Sequence, residues 1–256
     1  NVKGEQFPVE ALQKIASAAL IKGGTSVETN SAFLSYFLRA NYKFDNKYLV
    51  TLSGRVDGSS VFGNDRRYGF FPAVSAGWIL SEEKFLKNSD AISFLKLRAS
   101  WGLTGNADGF GDFAHLGLWG GTSYNGMGGL TPTQIANTNL RWEKSNQTDI
   151  GLDFGFLNNK ITGEFDYYVR KTQDLIYEIP VPGSSGFSTQ TANIGSMENK
   201  GIELVLNSEN VSTKTFRWNS TLNISINRNK IVKLDGEQTI IPGNDGRYLN
   251  SLIVGE

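Results

Sequence analysis

The sequence predicts an all-β protein: about eight antiparallel strands of a transmembrane β-barrel, with long loops at one end. Three observations carry this. Segments of roughly ten residues alternate strictly between apolar and polar side chains, which is the period of a strand with two unlike faces. The connections between those segments are alternately short and long. Tyrosines also gather beside a short turn on the apolar face, where an aromatic girdle belongs if that face meets lipid.

Taken in order, the chain opens with a segment unlike the rest. Pro8 can start a short helix in which Val9, Leu12, Ile15, Ala16, Ala19 and Leu20 recur at helical spacing, with Gly23 and Gly24 ending it inside a long loop. A hairpin follows over Phe33–Gly58. Leu34, Tyr36, Leu38, Ala40, Tyr42 and Phe44 share one parity, Asp45 and Asn46 turn the chain, and Tyr48, Val50, Leu52, Gly54 and Val56 continue the apolar face. A third strand starts at Tyr68, with Pro72 expected at its start or at a bulge because proline cannot donate to a ladder. SEEKFLKNSDAIS is a connection with one helical turn, in which Glu82, Glu83 and Lys84 read as solvated. Phe94–Gly105 is the fourth strand and the cleanest alternation in the chain.

From Asn106 to about Arg141 the sequence has no period and is rich in glycine, threonine and asparagine, a length of loop that is usually functional. Thr148–Phe156 and Ile161–Val169 form the next hairpin about the turn LNNK. A second long loop spans about Lys171–Glu198, and a last hairpin joins Gly201–Asn207 to Phe216–Lys230 with its turn near Glu209–Lys214. The chain then divides into 1–30, a loop segment with a short helix, 31–234, strands and loops, and 235–256, the start of a further loop.

Composition narrows the functional classes. The chain of 256 residues carries 25 basic and 25 acidic residues, so it lacks the basic excess of a nucleic-acid binder. It has no cysteine and a single histidine, His115, which argues against thiolate or histidine metal sites and against a Ser-His-Asp triad. No apolar run is long enough for a transmembrane helix, a test that barrel strands escape. The chain begins at Asn1 without a leader and ends without a cap signal, so it is expected to be a piece of something longer or a processed product. On pattern alone a soluble β-sandwich that binds glycan through its aromatic loops remains the competing reading, since the outer face of a sandwich also carries charges of both signs.

The blocks FDNKYLVTLSGRVDGSSVFG, FFPAVSAGWILSEEKFL, FLKLRASWGLTGN and LRWEKSNQTDIGLDFGFLNNKITGEFDYYVRKTQDLI occur in this order along the chain. With MENKGIELVLNSENV, FRWNSTLNISINRNKIVKL and SLIVGE, they resemble the SusC/RagA family of TonB-linked outer-membrane transporters. The resemblance covers most of the chain from Leu34 onward. It implies an internal arc of a larger barrel in the outer membrane of a Gram-negative, Bacteroidota-like bacterium. It implies a SusD-like surface lipoprotein as lid, coupling to TonB through a part not present in this chain, contact with outer-membrane lipid, and import of oligosaccharides or peptides. It implies no enzyme activity, cofactor or metal. A SusC-like barrel acting as a platform in a larger assembly is the variant of this reading. Residues 1–30 resemble a surface-loop segment of such proteins, and 235–256 becomes the start of the next extracellular loop.

Three sets of residues follow. Trp119, Tyr124 and His115, among the glycines of the first long loop, are candidates for stacking on cargo or contacting the lid; the simpler role for each is packing within the loop. Arg39, Arg55, Arg98, Asp149, Asp153, Glu164, Asp166 and Arg170 share the polar parity and are expected to face the lumen, the carboxylates pairing with Arg170 and Lys171. Tyr42, Tyr48, Trp78, Trp101 and Trp218 are the girdle candidates. The acids Asp108 and Asp112 after Asn106 lack the terminal glutamate of a calcium loop and read as a polar turn. Asp149, Asp153, Glu164 and Asp166 spread over two strands, an arrangement that suits solvated lining better than paired glycosidase carboxylates.

Overall fold

Eight antiparallel strands, each paired with the strands next to it in the chain, form one continuous sheet. They are β1 (Phe33–Phe44), β2 (Tyr48–Ser59), β3 (Tyr68–Ile79), β4 (Ile92–Asn106), β5 (Glu143–Phe156), β6 (Ile161–Gln173), β7 (Ser196–Ser212) and β8 (Arg217–Lys233), in sheet order equal to chain order. The computed structural model describes residues 4–5, 20–21, 29–234, 240–241 and 252–255. Among the described residues there is no α-helix.

The register aligns the apolar parity of every strand on one face. One row across the sheet reads Tyr42, Val50, Ala76, Ala99, Ile150, Tyr167, Ile202, Ile226, and the next reads Phe44, Tyr48, Trp78, Leu97, Leu152, Phe165, Leu204, Ile224. Between them, on the opposite face, lie Lys43, Leu49, Gly77, Arg98, Gly151, Asp166, Glu203 and Ser225. The apolar face is bare: Leu38 is 78% exposed, Ile150 and Ile226 are 52% exposed, and no second sheet covers it among the described residues.

The apolar band crosses this register obliquely. On β1 it runs from Phe44 to Leu34, whereas on β8 it runs from Trp218 to Ile226 and gives way to Arg228 and Lys230. Ile226 shares a row with Tyr42 and Ile224 with Phe44, so the band slips toward the turn end from β1 to β8. A slip of about six to eight residues at about 3.3 Å each, over seven spacings of about 4.8 Å, corresponds to strands tilted by about 30–40° from the normal to the band. Strands of closed membrane barrels tilt by roughly that much.

All the tight turns that join neighbouring strands of this sheet fall at one end. Asp45 and Asn46 both take positive φ (47° and 53°), the mirror-image turn whose twist matches a hairpin, and Lys47 N–H donates to the Phe44 carbonyl at 3.0 Å. The segments 157–160 and 213–216 close the other two hairpins at this end, and 80–91 crosses between β3 and β4 with a 3-10 turn at Leu80–Glu82. At the opposite end stand 60–67, 107–142 and 174–195.

Several expectations need correction. Pro72 lies inside β3; its missing donor is tolerated because the ladder to β4 begins only at Ala73, paired with Gly102. The last hairpin is longer than its alternation suggests, because a bulge between Glu209 and Val211 breaks the period while pairing continues to Ser212 and Arg217. Both long loops, expected to be irregular, contain hairpins of their own: Leu118–Tyr124 with Met127–Gln134, and Ile176–Pro180 with Thr189–Asn193. Leu20, expected in a helix, is in a two-residue strand, Leu20–Ile21, paired with Gly4–Glu5. The remainder of that helix lies outside the described residues.

Apolar side chains are buried mainly at the loop end. Val61, Phe62, Phe71, Ala114, Leu140 and Trp142 form one cluster, with Leu103, Ala107, Phe110 and Ile176 packed against it. A smaller one joins Ile194, Ile231 and Leu234.

Candidate functional site

The loop end is built around Trp142, which enters β5 from the first long loop and is 3% exposed. Its ring packs on Phe62 (5.0 Å between centroids), edge-on to Phe71 (5.4 Å) and to Phe33 (6.0 Å), while its indole N–H donates to the Arg67 carbonyl at 3.0 Å. Phe71 lies over Gly69 and Gly105, where any β-carbon would collide with its ring. Those glycines let an aromatic side chain on the polar face lie flat on the sheet, and the loops then close over it.

The two long loops are tied to each other. Asn193 Nδ2 donates to the carbonyls of Arg141 (2.7 Å) and Asp174 (2.8 Å), and its Oδ1 accepts the Arg141 N–H at 2.9 Å. The Arg141 guanidinium meets the Asp174 carboxylate at 2.7 Å, and Asn137 Nδ2 donates to the Thr191 carbonyl at 2.8 Å. Nothing in the sequence singled out Asn193, Arg141 or Asp174, since partners from separate loops leave no local signal. Beneath the first loop, on the polar side of the sheet, is an open cavity of about 670 Å³ bordered by Arg55, Asp57, Asp108, Asp112, Phe33 and Trp142.

The three loop candidates have different fates. His115 Nδ1 lies 2.9 Å from the Val61 carbonyl, an acceptor, so the ring nitrogen donates and the histidine fastens the first long loop to segment 60–67. Trp119 (63% exposed) and Tyr124 (81%) stand on the loop hairpin, on opposite faces of it by register. Asn125 and Gly126, both at positive φ, form its tip.

The expected polar set does share one face of the sheet, but the pairing differs from expectation. Arg98 bridges Asp153 (Nε–Oδ1, 2.6 Å) and Asp166 (Nη2–Oδ2, 3.1 Å), and Lys96 adds a bond to Asp153 at 3.2 Å. Lys171 turns instead to Glu198 at 3.7 Å. Register explains this: Gly151 stands between Arg98 and Asp166 and leaves the guanidinium room to reach across β5. Asp149 accepts from Ser100 (2.9 Å) and Gln147 (2.8 Å). Arg55 meets Asp57 at 2.5 Å and Arg39 donates to Asn41 at 3.3 Å, whereas Glu164 and Arg170 make no ion pair among the described residues. Asn106 Oδ1 is occupied by the Asp108 N–H at 3.0 Å, the geometry of a polar turn.

At the turn end Tyr42, Phe44, Tyr48 and Trp78 stack in sequence across three strands, with centroids 6.5, 6.3 and 6.3 Å apart. Glu83, read from sequence as solvated, caps this stack. Its Oε1 accepts from the Tyr48 hydroxyl (2.8 Å) and the Trp78 indole (3.1 Å), and its Oε2 lies 3.4 Å from Lys47 Nζ. The Tyr48 and Trp78 hydrogen bonds, joined by Lys47, hold the Glu83 carboxyl below its ordinary range. The bond to Asp45, joined by Glu83 and opposed by burial, raises the Lys47 ammonium. Trp101 and Trp218 lie on the same face, Trp101 opposite Val74 and Thr148, and Trp218 near the last turn.

Comparison with known proteins places this geometry. The family described as "TonB dependent receptor-like, beta-barrel" matches residues 12–252. The TonB-dependent receptor SusC of Bacteroides thetaiotaomicron is 41% identical over 90% of this chain and 23% of its own length, and the TonB-dependent receptor P26 of Formosa agariphila is 43% identical over 91% and 24%. The solved RagAB peptide transporter superposes with a TM-score of 0.83 at 32% identity, over 93% of this chain and 26% of that one. The siderophore receptor PirA of Pseudomonas aeruginosa shares the fold alone, at 15% identity and a TM-score of 0.52. The chain thus spans about a quarter of the length of the relatives it matches. It belongs to the TonB-dependent receptor β-barrel family, with SusC and RagA homologues among its relatives.

Proposed function

We propose that this chain is an arc of the wall of an outer-membrane importer in a Bacteroidota-like bacterium, working with a SusD-like lipoprotein lid on oligosaccharide or peptide cargo. Energy reaches it through TonB by way of a part of the protein outside this chain. The observation that carries the reading is the oblique apolar band: an exposed, continuous apolar face tilted against the strand register is what a lipid-facing barrel wall requires. A β-sandwich places a second sheet over such a face.

In this reading the short turns lie in the periplasm and Tyr42, Tyr48, Trp78 and Trp218 meet the headgroups there, with Trp101 nearer the outer edge of the band. Arg39, Arg55, Arg98, Asp149, Asp153, Glu164, Asp166 and Arg170 line the lumen. The long loops form the outer mouth, where Trp119 and Tyr124 are presented to cargo or lid; 1–30 and 235–256 belong to loops on that side. Its relatives are receptors and transporters, and the wall is read as carrying cargo rather than transforming it. Fractionation of the full-length protein tests the reading. It is expected in the outer membrane, resistant to a high-salt wash, released by detergent and accompanied by a lipid-anchored partner; recovery in the soluble fraction refutes it.

A further inference from the structure

Charge is unevenly spread over the apolar face of the sheet. From β1 to β4 that face carries no charged residue. On β5–β8 it carries Lys144, Lys171, Lys200, Arg228 and Lys230, all exposed. These bases begin where the apolar band stops, on its loop side. The row Ile150, Tyr167, Ile202, Ile226 is followed by Thr148, Val169, Lys200, Arg228 and then by Asn146, Lys171, Glu198, Lys230. Lys144 stands one row further, opposite Gln173. The cluster is tight: Lys171 and Lys200 converge on the two oxygens of Glu198, at 3.7 and 3.6 Å, while Lys230 is paired across the ladder with Glu198 and Arg228 with Lys200. Like charges directly opposite each other repel, so the Lys200–Arg228 pair costs stability unless an anion lies over it. Glu198 is the one carboxylate among five cations, and Lys144, Arg228 and Lys230 make no ion pair among the described residues.

We propose that this patch holds the phosphate groups of an outer-leaflet lipid, with the lipid's acyl chains lying on Tyr167, Ile202 and Ile226. The bases line the edge of the band on its lipid-facing side, which is headgroup depth, and basic clusters at that depth recruit anionic lipid. Phosphate oxygens accept from several lysines and an arginine at once and screen Lys200 from Arg228. The same molecule covers the bare apolar side chains below, so hydrocarbon and charge are answered together. A soluble anion answers only the charge, and an acidic protein surface would have to displace lipid to reach it. The site rests on the reading of this face as a membrane wall.

Native mass spectrometry of the purified full-length protein in detergent, titrated with phosphorylated lipid A and with the same lipid stripped of phosphate, tests the patch. Wild type is expected to prefer the phosphorylated lipid by about tenfold or more, and the double variants Lys200→Gln/Arg228→Gln and Lys171→Gln/Lys230→Gln each to lose most of that preference. Lys43→Gln, on the polar face of β1, should keep it. Equimolar sodium pyrophosphate should not displace the lipid; displacement would assign the patch to soluble anions and overturn the proposal. Equal binding of the two lipids by wild type overturns it, as does an equal loss in Lys43→Gln and in the double variants. The substituted side chains are exposed, and the mobility of each unheated variant on a denaturing gel reports its folding; either double variant decides alone. Recovery in the outer membrane without a lipid preference refutes the patch and leaves the wall standing, whereas recovery in the soluble fraction refutes the wall itself.

Discussion

The two ends of the sheet solve the problem of apolar surface in opposite ways. At the loop end the chain folds over itself: Phe62 and Leu140 are fully buried, Trp142 nearly so, and loops distant in sequence are laced together through Asn193. Over the body of the sheet and at the turn end, apolar side chains are left bare, with Tyr36, Leu38 and Tyr42 all more than half exposed. The first region carries its own dry interior and is indifferent to the solvent beyond it. The second is stable only in surroundings that welcome hydrocarbon. Hydrophobicity alone therefore does not say which way a side chain faces; it says only that something apolar must lie against it.

The contrast can be broken most sharply at Trp142. Trp142→Ala in the full-length protein is expected to cost about 3–5 kcal/mol of local stability. Hydrogen exchange should then accelerate in 60–67 and 107–142 while β7 and β8 keep their protection; uniform acceleration would mean that the loop end has no independent interior. On the bare face, Ile150→Arg is expected to cost about 2–4 kcal/mol in a bilayer, read from urea titration of the protein folded into vesicles. Asp149→Asn, one residue away on the other face, should cost about 1 kcal/mol or less, as expected for a partly exposed polar group. Equal costs would erase the distinction between the two faces.

The smallest effect concerns the cap on the aromatic stack. Glu83 is held below the ordinary carboxylate value of 4.5, so its contribution is complete above that pH and is lost as pH falls through its lowered folded value. Glu83→Gln should flatten the acid limb of a stability profile, with Trp78 losing its hydrogen-bonded emission. An unchanged profile would leave the cap without an electrostatic role.

The strands were legible because alternation is a local signal, and it held even through Pro72, just before the ladder to β4 begins. What sequence could not supply was the register. Parity put Arg98, Asp153, Asp166 and Arg170 on one face and Lys171 on the other, but only strand pairing decides that Arg98 spans Gly151 to reach Asp166 and that Lys171 stands opposite Glu198. The loop hairpins escaped notice for another reason. In LWGGTSYNGMGG the glycines erase the apolar alternation, and only Asn125-Gly126 remained as a turn signal. Glu83 looked solvated because its partners, Tyr48 and Trp78, belong to other strands.

Lacing the two long loops through Asn193 has one more consequence. Loops that are free until a ligand arrives must surrender their conformational entropy at the moment of binding, and affinity suffers accordingly. Here that entropy is given up during folding, by Asn193, Arg141 and Asn137, before anything reaches the rim. Whatever docks at this end meets a preorganised surface, and its binding is free to depend on the contacts it makes rather than on the order it must impose.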